Sequence, residues 1–122
     1  MAKLKTKKKK SSRTANKPSE KYSAFPRWIG VVHLPALPGS PGAFGVSPED
    51  SVQRAGQRAY DEVRQMTQAG IEGIILENFG DIPFYGSAVP PETVASLALI
   101  AGAIREICPV PLGINVLRND AR

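Results

Sequence analysis

Three short apolar runs, each closing on a cluster of polar residues, constrain the fold of this chain more than any other feature. Ile29-Gly-Val-Val-His33-Leu34 meets Pro35, Gly73-Ile-Ile-Leu-Glu77-Asn78 meets Phe79-Gly80-Asp81, and Pro111-Leu-Gly-Ile-Asn115-Val-Leu meets Arg118-Asn119-Asp120. A short apolar run with turn signals at both ends reads as a strand buried on both faces, the usual strand of a parallel sheet. In such folds the chemistry gathers at the carboxyl ends of the strands. The spacing predicts strands at about 28–34, 71–77 and 110–116.

Between the runs the pattern switches to a helical period. Ser47-Pro48-Glu49-Asp50 is a helix start: a capping hydroxyl, a proline suited to the first turn, and acids at the positive end of the dipole. Val52, Ala55, Ala59, Val63 and Met66 then recur on one face, with Arg54, Arg58, Asp61 and Arg64 between them, until Gly70 stops the helix. A second helix opens at Pro91-Glu92, carries Val94, Leu97, Ile100 or Ala101, Ile104 and Ile107 on one side, and ends at Cys108-Pro109. The segment from Pro35 to Gly42 is too rich in proline and glycine for a helix or a central strand. The order β-α-β-α-β implies parallel pairing. Loops after the strands are long and those after the helices almost absent. A TIM barrel has this asymmetry, with function on its βα-loops. A dinucleotide-binding half-fold would share the order, but no G-x-G-x-x-G follows the first strand.

Charge divides the chain. Residues 1–21 hold eight Lys and one Arg against one Glu, net +8, while the remainder holds seven Arg against ten acids, net −3. The pI near 9.6 therefore belongs to the first segment and not to the folding part. Residues 1–24 lack apolar periodicity and are expected to be a disordered Lys-rich tail, with a single domain over 25–122. The run Lys7–Lys10 suits an anionic membrane surface or nucleic acid, or serves only as a solubilising tail. No apolar stretch follows the charges, so a secretory signal is not expected. Cys108 is the single cysteine, which precludes an internal disulfide and makes a reducing, cytoplasmic setting the default.

The strand ends supply the candidate chemistry. His33, the only histidine, closes the first strand as a proton shuttle or metal ligand, or as a histidine bonded to nearby backbone. Glu77 is the candidate general base, with Asp81 beside it as a second catalytic carboxylate; the alternatives are a structural Glu77–Arg118 ion pair and ordinary turn chemistry at Gly80-Asp81. Asn78, Asn115, Arg118 and Asn119 are candidate ligand-binding groups, Arg118 as a fork for an anion. Asp120 is a candidate ligand for a divalent metal such as Mg²⁺. Helix capping is the alternative for Asn119-Asp120. Together these groups suit a small polar or phosphorylated ligand. No P-loop, nucleophile elbow or Cys/His metal spacing occurs, and the folding part lacks the basic-aromatic interleaving of nucleic-acid binders.

IGVVHLPALPGSP at 29–41, GIEGIILENFGDIPF at 70–84, VPPETVASLALIAGAIRE at 89–106 and PLGINVLRNDAR at 111–122 together resemble the BtpA/SgcQ family. The resemblance covers nearly everything from Trp28 onward and none of the basic segment. It implies the N-terminal β-α-β-α-β portion of a (βα)8 TIM barrel of the ribulose-phosphate-binding type, for which a full barrel needs roughly 250 residues. It also implies a role in photosystem I biogenesis, acting through photosystem or thylakoid components at the cytoplasmic face of the membrane. The SgcQ-like branch implies instead an enzyme of sugar-phosphate or nucleoside metabolism. A third expectation is that so short a chain is an inactive truncated piece.

Overall fold

The computed structural model describes residues 25–120. The expected tail over 1–24 and the last two residues lie outside the described residues. The architecture is α/β: strand β1 (Ile29–His33), helix α1 (Pro48–Gln68), strand β2 (Gly73–Glu77), helix α2 (Pro91–Ile107) and strand β3 (Leu112–Asn115). The strands form one parallel sheet in the order β1-β2-β3. Each strand is shorter than its apolar run, though Leu34 N–H still donates to Glu77 O and Ile74 N–H to Pro111 O beyond the strand bounds. A three-residue 3₁₀ turn, Pro41–Ala43, lies inside the segment expected to be loop.

Helix α1 begins and ends as its sequence dictates. The Ser47 hydroxyl accepts the Asp50 N–H at 3.1 Å and Pro48 occupies the first turn. At the other end Gly70 takes φ +88°, Ile71 N–H reaches Met66 O and Gly70 N–H reaches Thr67 O. That pair of bonds is the Schellman closure, and the left-handed residue it needs is the one glycine allows without a Cβ penalty. β2 starts three residues beyond Gly70, so the turn on this side is short.

One face of the sheet carries the core. Val32, Leu34, Ile74 and Leu76 pack with Ala55, Ala59 and Val63 of α1 and with Leu97, Ile100 and Ile104 of α2 in a single cluster, and the two helices also touch each other. Alternation sends the neighbouring strand residues to the opposite face. There the structure departs from the expectation of strands buried on both faces: Ile29 is 46% exposed and Val31 39% exposed. On this second face Pro26 lies beside Gly73 and the Phe79 ring stacks on His33. It is the face onto which His33, Glu77 and Asn115 project.

Among the described residues no helix is long and apolar enough to cross a membrane.

Candidate functional site

Parallel register brings three candidate side chains into line. His33 is the Cα partner of Glu77, and Glu77 is the partner of Asn115. Partners in adjacent strands stand about 4.8 Å apart and project to the same face. The result is a row across the carboxyl ends of all three strands. His33 Nε2 lies 3.2 Å from Glu77 Oε2. The other carboxylate oxygen, Oε1, accepts a short hydrogen bond from Asn115 Nδ2. Both oxygens of Glu77 are thus engaged by fixed neighbours. The Glu77 side chain is 15% exposed while His33 is 49% exposed, so the row is held from below and open to solvent at the imidazole. The Glu77–Arg118 ion pair weighed above does not form; Glu77 is paired with His33 instead. Arg118 and Asn119 are exposed on the turn that follows β3.

An aromatic residue belongs to the same site. The Phe79 ring stacks on His33 with centroids 4.4 Å apart and planes 19° apart, and Phe84 meets Phe79 edge-on at 6.1 Å. Phe79 shields one face of the imidazole and confines its rotation. Sequence reasoning passed over it because the search was for polar groups. The available signal was a large aromatic two residues past the strand-end acid.

Three other candidates sit in a buried layer that ties the loops together. Asp81 is 3% exposed; its Oδ1 accepts the Leu37 N–H at 2.7 Å and its Oδ2 accepts Asn78 Nδ2 at 2.9 Å. Asn78 is fully buried, its Oδ1 accepting the Leu117 N–H at 2.6 Å and its Nδ2 donating also to Leu117 O at 3.0 Å. Asp120 Oδ2 accepts the Val89 N–H at 2.8 Å. The structure therefore brings together His33, Glu77 and Asn115, and places Asn78, Asp81 and Asp120 as holders of the loops around them. Among the described residues no group of three or more His, Cys, Asp or Glu side chains is arranged to hold a metal ion. Asp120, 7% exposed, holds the Val89 N–H through Oδ2.

Close backbone approach makes this layer possible. Gly80 N–H donates to Leu34 O at 2.9 Å, carrying the β1–β2 pairing past the strands. A Cβ on Gly80 would lie 2.5 Å from Ala36 N and 2.6 Å from Pro35 C, so only glycine lets the second loop press onto the first. Thr93 Oγ1 at Pro38 O, 2.7 Å, and Tyr85 OH at Gly39 O, 3.1 Å, add further ties between the two loops.

Chemically the row offers an acid/base pair, His33 and Glu77, with a carboxamide fixing one side of the carboxylate. Such a set can hydrogen-bond hydroxyl groups of a ligand and move a proton between ligand and imidazole. The exposed Arg118 guanidinium adds a fork for an anionic group.

Residues 26–122 match the model of the BtpA family. Among curated proteins the chain is 46% identical over 92 residues to an uncharacterised protein of Pyrococcus horikoshii, which covers 75% of this chain and 33% of the relative. It is 42% identical over 93 residues to the photosystem I biogenesis protein BtpA of Synechocystis sp., covering 76% of this chain and 31% of that protein. To the putative sgc region protein SgcQ of Escherichia coli it is 30% identical over 89 residues, 73% of this chain and 32% of the relative. The chain spans about a third of the length of the curated relatives it matches. No solved structure matches it.

Proposed function

The chain belongs to the BtpA family, and from that premise we propose that its three strands form the first part of a (βα)8 barrel of the ribulose-phosphate-binding type, with the His33–Glu77–Asn115 row at the mouth as a binding and proton-transfer site for a small polar or phosphorylated ligand. The observation that carries this reading is the row itself: three strands in register present one imidazole, one carboxylate and one carboxamide at their carboxyl ends. Acids and bases at that rim are where barrels of this kind keep their chemistry. The parallel sheet with both helices on one face fits the same architecture, since in a barrel the other face turns inward.

In this site Glu77 is the base, held in place by Asn115, and His33 passes the proton to or from the solvent side. Phe79 holds the imidazole against Glu77. Arg118 and Asn119, on the turn beyond β3, receive the anionic end of the ligand. A hydroxyl group lying across the row would meet Glu77 on one side and His33 on the other.

The name of the Synechocystis relative supports a second reading of the same site, in which ligand or partner binding at the mouth serves photosystem I biogenesis. There the basic segment would contact an anionic thylakoid surface or another polyanion. The two readings share the site, so one experiment bears on both. Calorimetric titration of the chain with ribose 5-phosphate is expected to show saturable binding, weakened at least about tenfold by Glu77→Gln, which removes the charge while keeping the shape. Equal affinity in the two proteins contradicts the role given to Glu77.

A further inference from the structure

Asn78 stands one residue beyond Glu77, at the end of the strand that carries the base, yet its side chain turns away from any ligand. Both protons of its Nδ2 are taken, one by Asp81 Oδ2 and one by Leu117 O, and its Oδ1 takes the Leu117 N–H. A carboxamide with both donors engaged and no exposed surface has nothing left to offer a ligand. What it grips instead is a residue 39 positions ahead in sequence, through both the N–H and the C=O of Leu117. The next two residues are Arg118 and Asn119, the latter in the left-handed conformation at φ +75°. On its other side Asn78 is joined through Asp81 to Leu37, in the loop after β1.

We propose that Asn78 is a positioning residue: with Asp81 it forms a buried polar bridge that fixes the turn after β3 to the loop after β1, and so sets where Arg118 and Asn119 stand relative to the His33–Glu77–Asn115 row. The inference rests on the mouth reading for its purpose, but the bridge is testable without any ligand. Its chain of polarity is directional. Leu37 N–H donates to the Asp81 carboxylate, which accepts from the Asn78 amide, which donates to Leu117 O. Removing the amide donor breaks the chain, and exchanging the amide and the carboxylate restores its central link in the opposite direction. In Asn78→Asp the acceptor for Leu117 N–H survives, but two donated bonds are lost and a second carboxylate faces Asp81 and the Leu117 carbonyl. Adding Asp81→Asn supplies an amide donor to that new carboxylate while its carbonyl oxygen still accepts from Leu37.

The test is amide hydrogen exchange with backbone NMR shifts on the 122-residue chain. Asn78→Asp is expected to lower protection at Leu37 and Leu117 by about tenfold relative to core amides such as Leu76, the scale of a lost charge-assisted bond, and to displace the Arg118 and Asn119 signals. The double variant Asn78→Asp with Asp81→Asn should recover Leu37 protection and return those signals toward their original positions. A double variant no better than the single one, or a uniform loss across all amides, overturns the bridge. Should Asn78→Asp alone fail to fold, Asp81→Asn alone answers the same question: it must move the Leu117 amide signal, and an unmoved signal overturns the proposal. Ribose 5-phosphate binding plays no part in these readouts, so they stand apart from the outcome of the calorimetry.

Discussion

At the scale of single residues, position along a strand was legible and partnership was not. That His33, Glu77 and Asn115 close their strands follows from where the apolar runs stop. That they fall into one row needs the register, which depends on how far each strand slides against the next. Asp81 shows the limit most clearly. By sequence it is an acid in a loop near the base; in the fold its two oxygens serve an N–H 44 residues earlier and an amide three residues earlier. No local pattern carries the first of these. Phe79 was missed because an aromatic next to an acid has no chemistry until the histidine from another strand is found beneath it. Ordinary turn chemistry is one alternative the sequence offers at Gly80-Asp81; in the fold Gly80 supplies the absence of a side chain where two loops meet. Gly80→Ala is therefore expected to cost about 3 kcal/mol or more, since backbone atoms and not a flexible side-chain tip would have to give way. Chemical denaturation reads this directly, and a change below about 0.5 kcal/mol would contradict the close approach.

At the scale of elements the match between sequence and structure is closest in α1. Its buried apolar residues, Ala55, Ala59 and Val63, are three of the five picked out by helical spacing, and the other two, Val52 and Met66, pack against the core while partly exposed; Ser51, also buried, was not among them. Its cap, its first-turn proline and its glycine stop all act as local chemistry requires. Helix ends are readable because their signals lie within a few residues of each other. Ser47→Ala should lower stability by about 1 kcal/mol through loss of the Asp50 N–H partner, with Ser47→Asp retaining most of it; equal stability of all three proteins in urea would remove the capping role. The strands were less well bounded. β3 keeps only Leu112–Asn115 of the seven residues expected; beyond it Val116 O accepts the Asp120 N–H in a turn and Leu117 is held by Asn78. The apolar runs also suggested burial on two faces, but Ile29 and Val31 on the face away from the helices are 46% and 39% exposed. An apolar run records what a strand can tolerate on both sides, not what has been placed there.

At the scale of the molecule, a three-stranded parallel sheet with both helices on one face leaves the His33–Glu77–Asn115 row on the other, and buried polar bonds tie the strand-end loops around that row together. The chain belongs to the BtpA family and spans about a third of the length of the relatives it matches. The central claim is that His33, Glu77 and Asn115 act as one site. Titration of the chain with ribose 5-phosphate, followed by NMR at the His33 imidazole, the Glu77 backbone amide and the Asn115 carboxamide, tests it most directly. The account predicts that all three signals move on one binding curve and that Glu77→Gln abolishes the movement at the other two residues. Signals that stay fixed, or that titrate with separate affinities, would contradict it.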